Sequence, residues 1–152
     1  MQDLRGAAFV GLVAGGVLLY LTAVGIVLAF AERNVVTGVV TLGRLMLAAA
    51  PLVAGYVTAR RGPLPGKVAT GLVAGAMTGV VVAAALLFAS AVNVRPVLVR
   101  VSPGLLDFVA YEQEALVGAA INVALGALLG ILGALLRVAP IMVRSSIGSS
   151  SL

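Results

Sequence analysis

The residues of this sequence that could do chemistry are few: a cluster of carboxylates, one carboxamide inside an apolar run, and a set of regularly spaced glycines. Asp107, Glu112 and Glu114 lie close together and could hold a cation or a basic partner. The same residues at the edge of an apolar run also make an ordinary solvated rim, and that is the stronger reading. Gly11, Gly15 and Gly16 do not form a phosphate loop, because no Lys-Ser/Thr follows them and they sit deep in an apolar run. The chain has no cysteine and no histidine. That excludes disulfide scaffolds, thiolate metal sites, Cys or Ser–His nucleophile systems and His-ligated haem. No catalytic, cofactor-binding or metal-ligating residue is expected, and the chain does not read as an enzyme.

The glycines carry the strongest motif. Gly11 and Gly15, Gly71 and Gly75, Gly75 and Gly79, and Gly126 and Gly130 are each four apart. Two small residues at that spacing share one helix face and let a second backbone approach closely. Ordinary tight packing within the chain is the stronger reading, and a docking face for another subunit is the functional one. Asn122 is expected to bond across to a neighbouring helix, while Thr22, Thr78 and Ser90 are expected to bond back to their own.

Long apolar elements must position these residues. The sequence is 62% hydrophobic and 10% charged, against about 25% charged in a soluble domain. Its mean hydropathy is +1.21. Four apolar runs predict membrane-spanning helices at about 6–31, 42–59, 68–92 and 115–137, each near the ~20 residues a span requires. The predicted fold is an all-α integral membrane protein, a glycine-rich bundle of four transmembrane helices in one domain, 1–144. A polar tail, 145–152, is expected to be disordered. The first run is too long for a signal-peptide core and ends without a small-x-small site, so it reads as a retained helix.

Segment 32–43 mixes valine with Thr37, Gly38, Thr41 and Gly43. Starting helix 2 at residue 35 would bury Arg44 about 13 Å deep, at a cost of at least ~2.5 kcal/mol if unpaired. The expected start is therefore near Leu42, with Arg44 snorkelling to the interface. Pro51 falls mid-helix and is expected to kink it. Outer loop 93–114 is expected to hold an extended stretch, then a helix opening at Ser102-Pro103 and lying in the headgroup region. A straight helix from Pro103 to Arg137 would span ~52 Å, so a break near Gln113 is expected. Gly11-Leu-Val-Ala-Gly15 recurs as Gly71-Leu-Val-Ala-Gly75. The match does not extend to helices 2 and 4, which favours convergent use of small residues over duplication.

The net charge of +5 is spread along the chain. That argues for orientation signals and lipid-headgroup contacts rather than nucleic-acid binding, which needs a clustered basic face. With both termini inside, six Lys/Arg fall on the cytoplasmic side and four on the outer side. The positive-inside bias thus places both termini in the cytoplasm. Arg60, Arg61 and Lys67, in one tight loop, are the topology anchors. No ionisable residue falls near the middle of any predicted span, which disfavours a stand-alone ion-coupled carrier. The absence of a polar helix face disfavours a small oligomeric channel.

Three stretches carry a resemblance: Gly11-Leu-Val-Ala-Gly-Gly-Val-Leu-Leu-Tyr20 and the residues after it to Val27, Ala31-Glu-Arg-Asn-Val-Val-Thr-Gly38 to Gly43, and Pro51-Leu-Val-Ala-Gly-Tyr56. They resemble the N-terminal membrane region of bacterial ABC-type permeases of the branched-chain amino acid (LIV) class. Val94-Arg-Pro-Val-Leu-Val-Arg-Val-Ser-Pro103 is similar to the connection that follows in the same proteins. The resemblance covers most of 6–140. It implies a multi-pass protein of the bacterial plasma (inner) membrane, a membrane-embedded component of an importer for branched-chain or related amino acids. The lipid bilayer, other membrane subunits, an ATPase and an extracytoplasmic solute-binding protein would be its partners. One departure stands out: the cytoplasmic coupling loop that meets the ATPase in that family has no counterpart here. The chain would then be an appended domain, a fragment or a small subunit. The alternative is a structural or accessory subunit of another membrane complex, held by its glycine-rich helix faces.

Overall fold

A computed structural model describes the backbone of residues 2–31, 36–60, 63–92 and 115–148 and the side chains of 4–24, 45–60, 63–92 and 115–138. Four helices account for nearly all of it: α1 (Gln2–Ala31), α2 (Val36–Thr58), α3 (Leu64–Ala91) and α4 (Ala115–Gly148). Apolar text without charges favours helices in lipid, because every backbone N–H and C=O finds its partner inside the segment. Three helices are long and apolar enough to cross a membrane: Leu4–Val24, Leu64–Ala91 and Ala115–Val138. Leu45–Thr58, the described apolar part of α2, is shorter.

Several boundaries differ from the sequence reading. α1 starts at Gln2 and α3 at Leu64, each four residues before the expected start. At α3, Pro63 sits at the N-cap in an extended conformation and a second proline opens the first turn. Proline's fixed φ suits a helix start, and its missing N–H would be unbonded there anyway. α2 begins at Val36 rather than near Leu42, so Arg44 lies inside the helix. The weak helix preference of Val36, Thr37 and Gly38 is overridden, since local propensity is a small term once helix formation is under way. α4 runs to Gly148, so 145–148 is helical rather than a disordered tail. The break expected near Gln113, the headgroup helix and the outer loop all lie outside the described residues.

The contacts fix the directions of the helices. Gly11 of α1 meets Ala74 of α3, and Gly15 meets Val81, so α1 and α3 run parallel. Gly71, Gly75 and Gly79 meet Gly130, Gly126 and Asn122 in reverse order, so α3 and α4 are antiparallel. Leu52 lies at Gly133, and Tyr56 bonds Arg137, so α2 and α4 are parallel. This is an up-down-up-down bundle. α3 and α4 form its most extensive interface; α1 packs on α2 and α3, and α2 also on α3 and α4.

The core is built of small residues. Ala7, Ala54, Ala59, Ala74 and Ala134 are buried, and the largest fully buried side chain described is Thr78. Leu18 and Leu86 are buried with them, but most large apolar side chains point outward, with Phe9, Tyr20, Phe88 and Leu116 each about two-thirds exposed or more. A water-soluble bundle would put its leucines inside. Here lipid solvates the large side chains, and close backbone approach holds the helices together.

Candidate functional site

The α3–α4 seam is where the helices come closest. A Cβ placed on Gly126 would lie 2.5 Å from the Gly75 carbonyl oxygen, and one on Gly75 would collide with the Gly126 carbonyl. Gly71 and Gly130 oppose each other's carbonyls in the same way. In each glycine the hydrogen in the Cβ position points at a carbonyl across the seam. Such Cα–H···O contacts contribute about 0.5–1 kcal/mol each. Gly79 continues the row against the Asn122 carbonyl, 2.6 Å from its Cβ position. Gly11 does the same for α1 against the Ala74 carbonyl of α3, while Gly15 receives the Val81 side chain. All seven glycines singled out in the sequence therefore face other helices of this chain.

Gly55 and Gly133 were not singled out, and they dock α2 onto α4. Gly55 sits against Gly130, and Gly133 against the Leu52 carbonyl. Their signal was present but weaker. Gly133 is three residues after Gly130, which turns it to a neighbouring face and opens a groove for a second helix. Gly55 stands four residues from Pro51 and Ala59, a small-residue row that is not all glycine.

Thr78 reaches further than the sequence reading expects, and one contact of Asn122 lies within its own helix. Asn122 Nδ2 donates to the Gly118 carbonyl of its own helix at 2.8 Å. Thr78 lies within donating distance of two carbonyls, Ala74 in its own turn at 3.0 Å and Gly11 on α1 at 3.1 Å. The geometric reason is Gly11 itself: with no side chain there, the α1 carbonyl comes within reach of a short hydroxyl on α3. Thr22 donates to Leu18 within α1, as expected.

Beside the seam lies a cavity of about 210 Å³, walled by Leu47, Ala48 and Pro51 of α2, by Val82 of α3, and by Leu125 and Leu129 of α4. Thr78, Gly79, Asn122 and Gly126 complete its floor. It sits near the midpoint of α3 and of the apolar stretch of α4. Among the described residues, no charged side chain lines it.

At one end of the bundle, Arg137 clamps α4 to α2. Its Nη1 donates to the Tyr56 carbonyl at 2.9 Å, and its guanidinium stacks 5.0 Å from the centre of the Tyr56 ring. Sequence reasoning missed this pair, because the partners are far apart in the chain and only the parallel docking of α2 on α4 aligns them. The helix directions bring Arg5, Arg60 and Lys67 to the same end, so all four described cationic side chains lie there. Of the expected anchors, Arg61 lies outside the described residues, as do Asp107, Glu112 and Glu114. Among the described residues, no group of three or more His, Cys, Asp or Glu could hold a metal ion.

Compared with known protein families, curated proteins and solved structures, the chain matches none.

Proposed function

We propose that this chain is a membrane-embedded, non-catalytic component of a larger membrane assembly, and that the assembly is an ABC-type importer for branched-chain or related amino acids. The observation that supports a packing role is the small-residue core: glycines and alanines bring the helices together around a few buried leucines and valines, and most large apolar side chains face outward. The importer class rests on the residue resemblance in 6–140. In this reading the chain lies in a bacterial plasma membrane with both termini cytoplasmic. The end carrying Arg5, Arg60, Lys67 and Arg137 faces the cytoplasm, in keeping with the positive-inside bias. Substrate selection and nucleotide hydrolysis belong to partners.

A second reading, an accessory subunit of another membrane complex, has one observation in its favour. α1 exposes Phe9, Leu12, Val13, Val17 and Tyr20 along its length, a face that another subunit could cover in place of lipid. Docking through the glycine faces is less favoured, since those glycines already contact helices of this chain.

The test is mild detergent extraction from the native membrane, followed by mass spectrometry of what stays bound. A nucleotide-binding ATPase with a solute-binding protein supports the importer. An unrelated membrane enzyme in their place overturns it and supports the accessory subunit.

A further inference from the structure

Close-packed interiors keep few voids larger than a water molecule. The space between α2 and the α3–α4 seam is far larger, at about 210 Å³. An apolar cavity of roughly 150 Å³ stays dry and accepts a benzene-sized guest. The space here is larger and partly open, with Leu125 half exposed at its rim, and Thr78 and Asn122 lie among its mainly apolar lining. Pro51 has no N–H, so the Leu47 carbonyl loses the donor that a helix would normally supply four residues on. Leu47 and Pro51 both line the cavity. The gap in the backbone ladder therefore falls at residues that wall the cavity.

We propose that this cavity is a binding site for a small uncharged molecule with an apolar body and a single hydroxyl donor, a short aliphatic or aromatic alcohol. The walls of Leu47, Val82, Leu125 and Leu129 take the body, and the Leu47 carbonyl takes the hydroxyl. Among the described lining residues none is charged, so nothing described there offsets the desolvation of a zwitterion such as a free amino acid. The proposed guest is uncharged, so the site stands whether or not the importer reading does.

The test uses the full chain in lipid nanodiscs and a diazirine-bearing analogue of hexanol, with labelled peptides located by mass spectrometry. The expected result is labelling within 47–51, 78–82 and 122–129 that excess benzyl alcohol suppresses. Ala48→Phe, which fills the cavity from its wall, reduces labelling there to the level of lipid-facing positions. Leu125→Phe serves as a second filling variant should the first not fold. Pro51→Ala restores an N–H to the Leu47 carbonyl. It weakens suppression by benzyl alcohol about fivefold, the worth of one hydrogen bond, and leaves suppression by toluene unchanged. Labelling spread evenly over Phe9, Leu116 and Leu128 and not suppressed by either compound overturns the site. Equal loss of benzyl alcohol and toluene in Pro51→Ala overturns recognition of the hydroxyl.

Discussion

The two ends of α2 meet the rest of the bundle in opposite ways. Its C-terminal half is fastened to α4 by Gly55 on Gly130, by Gly133 under Leu52 and by Arg137 on Tyr56. Its described N-terminal part, Leu47 to Pro51, stands off from α3 and α4 across the cavity. Pro51 is the boundary between them. The difference teaches what glycine does here. Where glycine faces glycine, backbones touch and carbonyls find Cα hydrogens. Where leucines such as Leu47 and Leu125 line the helices instead, a space remains.

Substitutions can break or sharpen that contrast. The largest effect is expected from Gly130→Ala. Its new methyl would meet the Gly71 carbonyl and lie 2.8 Å from the Gly75 Cα, with only backbone to give way. A loss of about 3 kcal/mol, at the upper end for overpacking, is expected in steric-trapping or detergent-unfolding measurements. A loss under about 0.5 kcal/mol would show that the seam is not the tight region. Next is Thr78→Val, which removes the hydroxyl that reaches Gly11. About 0.6 kcal/mol is expected from the same measurement, the average for such bonds in membranes. Thr22→Val, whose bond stays within α1, is the matched control and is expected to leave α1–α3 association unchanged.

Smaller still is Arg137→Gln, which releases the Tyr56 ring at the exposed end of the clamp. The expected cost is about 0.5 kcal/mol, together with increased hydrogen exchange confined to the last turn of α2. Exchange that rises equally around residues 47–51 would show the two halves of α2 to be one unit. The smallest effect, of opposite sign, belongs to Gly16→Ala. A methyl there meets nothing within 4 Å. Removing a helix-interior glycine is expected to stabilise α1 by about 0.5 kcal/mol, and a loss would mean that another chain packs against Gly16.

The α3–α4 seam was legible in the sequence because its glycines repeat every four residues on both helices, and a helix turns that spacing into a face. The α2–α4 docking was not. Gly55 and Gly133 lack glycine partners at that spacing, and the pairing of α2 with α4 depends on how two hairpins fold together. The start of α2 was misplaced for a physical reason: the cost of burying Arg44 was set against too little helical continuity. That the Thr78 hydroxyl reaches α1 as well as its own turn depends on which carbonyl a neighbouring glycine exposes, which no single-chain pattern records. The cavity is a failure of complementarity between three helices, and such a gap leaves no mark in any one of them.

A core whose largest fully enclosed side chain is a threonine has little bulk to give up. Outside buried Leu18, Leu86, Val82 and Val138, damage to it comes mainly from addition. Every single-base change that alters a glycine codon yields a larger residue, or a stop in one case, so mutational drift at Gly71, Gly75, Gly126 or Gly130 has one direction. Random mutagenesis of this chain should therefore give a lopsided map. Positions facing lipid would accept many exchanges among apolar residues, while the seam would accept glycine and little else.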